Sequence, residues 1–111
     1  MNQDKLNEIL SLHEKWLRDE EGGVKADLSD GDLNHADLSD TNLSGANLNR
    51  ADLSDANLSD ADLSHADLRH ADLSGANLNG TDLTYADLRY TNLTNADLRN
   101  INLTSAKLTD Q

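Results

Sequence analysis

The sequence predicts an all-β solenoid, a square coil of about four turns closed at its start by one α-helix. Three observations carry this reading. A five-residue word runs from Ala26 to Asp110 without insertion or deletion. Leucine stands at Leu28, Leu33, Leu38 and every fifth position to Leu108, seventeen in all, with a small residue, usually Ala, two places before it. The departures at that place are Gly31, Thr41, Thr81, Thr91 and Ile101. The residue just before each leucine is Asp or Asn, with Lys107 the one exception, and the two residues after it are nearly all polar.

A period of five matches neither a 3.6-residue helix nor a two-residue strand. A solenoid accommodates it. If each unit forms one side of a square, twenty residues make a coil, and both the leucine and the small residue point inward. The small residue is small because leucines from four sides crowd the axis. Successive coils then lie about 4.8 Å apart, the hydrogen-bonded strand spacing. Residues 26–110 give four such coils and one further side.

Composition bounds the rest. The chain has 111 residues, 27% of them charged, and a net charge of -12. High net charge with few aromatics often means disorder, but the strict period argues for order. Cysteine is absent, which excludes disulfides and thiolate metal sites. No apolar run is long enough for a transmembrane helix, and the N-terminus has no apolar signal core, so a cytoplasmic location is expected. Residues 26–65 carry nine Asp and one Arg, whereas 66–110 carry six Asp against Arg69, Arg89, Arg99 and Lys107. This balance opposes direct nucleic-acid binding and favours a basic partner.

Residues 4–20 read as one amphipathic helix, with Leu6, Ile9, Leu10, His13, Trp16 and Leu17 on one face. Asn2 or Asp4 is its N-cap, and Glu14–Arg18 and Lys15–Asp19 are pairs of opposite charge at i,i+4 spacing. Gly22-Gly23 is a stop signal. His13 is expected as a partly buried structural histidine, and Trp16 as a packing residue. Bare solenoid ends are poorly stable, so repeat arrays need caps. The helix is the cap for Leu28, Leu33, Leu38 and Leu43. The expected division is residues 1–25 as capping helix and linker and residues 26–111 as the repeat array.

Tandem Ala-(Asp/Asn)-Leu-x-x over 26–110 resembles the pentapeptide-repeat family. The leader Leu12-His13-Glu14-Lys15-Trp16-Leu17, followed by Gly22-Gly23, is similar to leaders in that family. The resemblance implies a right-handed quadrilateral β-helix with leucine and the small residue inside, and Asp/Asn and the next two positions outside. It implies little about activity, although some members mimic DNA and bind DNA gyrase.

Wrapping the chain at twenty residues shows which outward side chains stack. His65 and Tyr85 share a column, and Arg50, His70, Tyr90 and Asp110 share the next. Arg69 and Arg89 lie beside them. His65, Arg69, His70, Tyr85, Arg89 and Tyr90 thus form a patch of aromatic and cationic groups, the composition found at binding hot spots. The same rings would also serve simply by stacking and shielding the coil backbone. No metal site is expected: His65 and His70 lie on adjacent sides with no third ligand. The ladders Asp32–Asp52–Asp72 and Asp62–Asp82 lack a loop that wraps a cation. With a filled interior and no cleft to shift a pKa, neither an enzyme nor a cofactor is expected.

Two functions remain. One is a structural or interaction module for an unidentified protein partner, with no role at a membrane. The other is mimicry of DNA phosphates, directed at gyrase or another topoisomerase. The last coil, presenting Leu93, Leu98, Leu103 and Leu108, has no cap in the sequence and is expected to join a second copy as a homodimer. In the alternative, Ile101, Lys107 and the terminal residues fold over it.

Overall fold

The computed structural model describes residues 1–108, so the last three positions of the expected array, Asp110 among them, lie outside the described residues. One helix, α1 (Gln3–Leu17), precedes the repeats. Asn2 caps it, its side-chain oxygen accepting from the N–H groups of Asp4 (2.7 Å) and Lys5 (3.2 Å). The helix ends three residues before the expected boundary. Asp19 takes a left-handed conformation (φ 57°), and the N–H groups of Asp19 and Glu20 turn back to the carbonyls of Trp16 and Lys15 at 3.1 and 2.9 Å. This Schellman closure satisfies the orphan carbonyls of the last turn. The Gly pair has a different role. A Cβ on Gly23 would strike the backbone of Trp16 and Lys15, so glycine there lets the chain run back flat against the helix. Arg18 pairs with Glu20 at 2.8 Å, closer than with Glu14 at 3.9 Å. Among the described residues no ion pair joins Lys15 to Asp19.

From Ala26 onward each unit is built alike. The leucine carbonyl accepts from the N–H three residues on, as in Gly31 to Leu28 (3.0 Å) and Ala66 to Leu63 (3.1 Å). The fifth residue of the unit has positive φ, from Asp30 (58°) to Ser105 (61°). Only the second central residue is left-handed, the pattern of a type II turn. The Asp or Asn before the leucine folds its Oδ1 back onto the N–H of the residue after it, as in Ser29 onto Asp27 (3.1 Å) and Ser54 onto Asp52 (3.0 Å). These Asx closures give an outward side chain a structural role; those between two coils, such as Asp52 and Asp67, are half-buried, whereas Asp27 and Asp32 of the first coil are exposed.

Coils register by parallel bridges between residues twenty apart, beginning at Asp27↔Asn47 and reaching Asp87↔Lys107. Each side contributes one bridging residue instead of an extended strand, because two of its five residues are spent on the turn. Inter-coil bonds such as Leu28 N–H to Asn47 carbonyl (2.7 Å) and Asn47 N–H to Ala26 carbonyl (3.0 Å) flank each bridge.

The two ends of the stack differ. Leu28, Leu33, Leu38 and Leu43 are fully buried although no coil precedes them, because Leu6, Ile9 and Leu10 of α1 pack on that end. At the other end Leu98 and Leu108 are 40% and 52% exposed, with Leu93 and Leu103 half-buried. Three inward positions carry hydroxyls, and all are satisfied: Thr81 donates to the Leu58 carbonyl and Thr91 to that of Leu68, each at 2.8 Å, and Thr41 to that of Ser39 at 3.3 Å.

Candidate interaction surface

The turns define the site. Because the fifth residue of every unit is the left-handed turn residue, residues five apart stand on successive turns, and residues twenty apart stack. The expected patch therefore divides into two columns. The rings of His65 and Tyr85 lie 4.9 Å apart and within 1° of parallel. Those of His70 and Tyr90 lie 4.9 Å apart at 8°. Tyr85 is 59% exposed and Tyr90 64%. Arg50 continues the second column on the side of the first coil; Asp110, expected in the same column, lies outside the described residues.

These positions carry a local cost. A left-handed conformation is ordinary for Gly, Asp and Asn, and unusual for a bulky residue. Tyr85 (φ 62°), Tyr90 (65°) and Arg50 (62°) all adopt it. Offset or parallel ring pairs are worth about 0.5–1.5 kcal/mol beyond burial, comparable with the strain of about 1–2 kcal/mol per residue. Stacking therefore roughly offsets strain and leaves little net gain to account for tyrosine at these turns.

Between the two columns lie Arg69 and Arg89. The sequence reading counted them as cationic groups facing a partner. The structure instead clamps each to the carboxylate two residues before it. Arg69 Nε and Nη2 reach Asp67 at 2.9 and 2.8 Å, and Arg89 reaches Asp87 at 2.9 and 2.7 Å. Hydrogen bonds from these arginines hold both carboxyls below the usual range. A weaker contact, Arg69 to Asp87 at 3.8 Å, ties the two pairs together. This side of the coil is thus close to neutral within an acidic molecule.

A further member of the surface comes from the helix. Trp16 stacks on His13 at 5.3 Å and is itself 41% exposed. Its ring lies 3.4 Å from where a Cβ on Gly45 would stand. Gly45 begins the column that continues through His65 and Tyr85, so Trp16 occupies the place its side chain would take. The signal was present in the glycine, the first residue of a column that continues with His65, Tyr85 and Ser105.

Elsewhere the surface offers less. Among the described residues no three His, Asp or Glu side chains converge, and no helix is long and apolar enough to cross a membrane. A concavity of about 280 Å³ lies between the start of α1 and residues Asp32 to Ala36. His35, on its rim, points instead to Asp55 at 3.9 Å. At the far end, Leu93, Leu98 and Leu103 carry no backbone N–H bond among the described residues. Ile101 packs on the core, whereas Lys107 is exposed.

Comparison with known proteins places these features in context. The family model described as Pentapeptide repeats (8 copies) matches residues 24–60, 61–100 and 82–110. The crystal structure of the pentapeptide repeat protein Rfr23 from the cyanobacterium Cyanothece 51142 is 37% identical with a TM-score of 0.75. The match covers 76% of this chain and 57% of that one, so the chain spans little more than half of Rfr23. The pentapeptide repeat protein alr5209 from Nostoc Pcc 7120 is 30% identical with a TM-score of 0.74, covering 88% of this chain and 93% of its own. QnrB1, described as a plasmid-mediated fluoroquinolone resistance protein, is 21% identical at a TM-score of 0.42, a distance at which nothing about its partner transfers. No curated protein matches the chain.

Proposed function

The chain belongs to the pentapeptide-repeat family, and from that premise we propose that it is a non-enzymatic interaction module: a right-handed quadrilateral β-helix of about four coils that docks onto protein surfaces. Members of the family are generally structural or interaction modules. The observation that carries the reading is the unequal covering of the two ends. Leucines of the first coil are buried under α1, while Leu98 and Leu108 are 40% and 52% exposed. The backbone N–H groups of Leu93, Leu98 and Leu103 also lack partners among the described residues. An apolar end with an open edge favours pairing with another chain, and identical chains most often pair about a two-fold axis. The occupant we propose is a second copy, joined through Leu93, Leu98, Leu103 and Leu108 with the two helices at the far ends. The sides then remain available for a further partner, with the Trp16, His65, Tyr85 and His70, Tyr90 columns as its anchors.

Light scattering over a range of concentrations tests the end-to-end arrangement. The wild type should dimerise, and Leu103→Lys should be monomeric with the same circular dichroism. A concentration-independent monomer, or a dimer indifferent to the lysine, contradicts the reading.

Mimicry of DNA phosphates is the second reading. The continuous row Asp32–Asp52–Asp72 favours it. Against it, arginines pair with Asp67, Asp87 and Asp97 at 2.7–2.8 Å and remove charge from two other rows. Inhibition of DNA supercoiling by gyrase at stoichiometric protein would favour the mimic over the module.

A further inference from the structure

His13 is the one buried titratable group in the described core, at 0% exposure. It stands where three segments meet: α1, the first residue of the array and the turn at Ser44. Its Nδ1 lies 2.9 Å from the Ala26 N–H, which can only donate. Nδ1 must therefore be unprotonated, and the ring is neutral with its proton on Nε2. That proton points at the Ser44 carbonyl, 2.9 Å away. Both nitrogens are committed, and the tautomer is fixed by its neighbours rather than chosen.

We propose that His13 is an acid-labile latch, and that protonating its Nδ1 releases the lid helix from the first coil. An imidazolium at this place would set an N–H against the Ala26 N–H, losing that bond, and would leave a charge fully enclosed. Among the described residues no carboxylate compensates. On the helix side the ring faces Trp16, with Glu14 and Lys15 turned to solvent. From the link to the coils comes Lys25, whose ammonium lies 6.0 Å from the Trp16 ring centre. From the coil come the Ser44 carbonyl and the paired hydroxyls of Ser44 and Ser64. Burial is the main reason that His13 holds its proton less firmly than its ordinary value of 6.5 implies. The Ser44 carbonyl opposes this, and Lys25 adds to it.

The sign follows. A histidine kept neutral by folding contributes fully above pH 6.5, and its contribution is lost as the pH falls from there toward its depressed value. Across that window the closed-to-open ratio of the lid falls roughly tenfold per pH unit. Two main-chain ties besides His13 hold the lid, the Val24 N–H to the Leu12 carbonyl (3.0 Å) and the Met1 ammonium to the Asp32 carbonyl (2.8 Å), and neither depends on the protonation of His13. Opening at the Gly22-Gly23 link uncovers Leu28 and Leu33. The N-terminal end then becomes a second apolar end, available for assembly only in acid.

Nuclear magnetic resonance on the full chain tests this. At pH 7.5 the His13 ring should show the Nε2–H tautomer, and its titration midpoint should lie below 6.5. Between pH 6.5 and that midpoint, the protection factor of the Ala26 amide against hydrogen exchange should fall about tenfold per pH unit. The Leu68 amide, deep in the stack, should stay protected. His13→Gln keeps one acceptor and one donor without titrating, and should flatten the Ala26 response. A pH-independent Ala26 protection factor in the wild type overturns the proposal. So does an unchanged response in His13→Gln, which would assign the transition to carboxylates. If His13→Gln does not fold, the wild-type ring titration decides alone: a midpoint at or above 6.5 overturns the latch.

Discussion

Replacing Leu68 and Leu108 in turn with alanine measures whether burial follows the stacking order. Asp67 bridges both Asn47 and Asp87, so Leu68 has a coil on each side and is 0% exposed. Truncating it removes a fully buried isobutyl group and leaves a cavity that bridges above and below keep from collapsing. Such changes cost about 2–5 kcal/mol, and the upper half of the range fits a site pinned on both sides. Leu108 is 52% exposed, and Lys107 bridges only Asp87. About half of a transfer energy of roughly 2 kcal/mol is at stake there, and no enclosed cavity forms, so the expected cost is about 1 kcal/mol. Urea titrations followed by circular dichroism should show both midpoints falling with unchanged slope. The melting temperature of Leu68→Ala should fall by more than 8 °C, on a scale of about 4–8 °C per kcal/mol for domains of 60–100 residues. Equal losses at the two positions would refute the stacking order. Association through the last coil would raise the cost at Leu108, so the comparison is made at a dilution where both proteins are monomeric.

Four further outcomes are expected. Deleting residues 1–22 exposes Leu28, Leu33, Leu38 and Leu43, and the truncated chain should aggregate or melt well below the full protein in a thermal scan. Asp52→Asn keeps the oxygen that accepts from the Ser54 N–H but weakens the 2.6 Å bond from the Ser54 hydroxyl, while relieving repulsion from Asp32 and Asp72. The two effects should leave stability within about 1 kcal/mol of wild type, and high salt, by screening the repulsion, should make the variant relatively less stable. The Asp97 carboxyl is pulled down to about 2, first by hydrogen bonds from the Arg99 side chain. Its stabilising effect is therefore present above the usual carboxylate range and lost toward pH 2, and Arg99→Gln should raise its midpoint in a carbon-detected titration. Tyr85→Asn exchanges strain for lost stacking and should change stability by less than about 1 kcal/mol, while abolishing capture of any partner that uses the column.

Much of the architecture is legible because the repeat leaves few alternatives. Seventeen leucines in phase fix the inward face, and the twenty-residue pairing of Asp27 with Asn47 and its successors follows from four sides per coil. The lid is legible from its apolar stripe, although its end is not. Asp19 closes it in a left-handed turn, and a lone Asp is a weaker stop signal than the Gly pair beyond it. The role of Asp and Asn was hidden for a related reason. Read as surface charge, the row Asp32–Asp52–Asp72 suggests only repulsion. Read with Asn42, Asn47 and Asn57 in the same place, it says that the shared carbonyl-type oxygen matters, and the structure uses that oxygen to close each turn.

The interaction surface was half legible, and the missing half is the more informative. Column membership follows from counting, so the His65–Tyr85 and His70–Tyr90 stacks could be foreseen. Their backbone conformation was signalled only indirectly, by Gly45, Gly75 and Gly80 falling at the fifth position of the word and no glycine falling at the fourth. Once that is known, residue choice at the fifth position becomes a test of purpose. Asp30, Asp40, Gly75, Gly80, Asn95 and Asn100 are what the conformation favours. Tyr85, Tyr90 and Arg50 are not, and for the two tyrosines ring stacking roughly offsets the strain without exceeding it. Arg69 and Arg89 add no free charge, since Asp67 and Asp87 already hold them. If this side binds a partner as proposed, it would present the aromatic rings and Arg50, and not the clamped Arg69 and Arg89. Trp16 extends them to the lid across Gly45, so a partner lying along that column would touch helix and coil together and would sense whether the lid is closed.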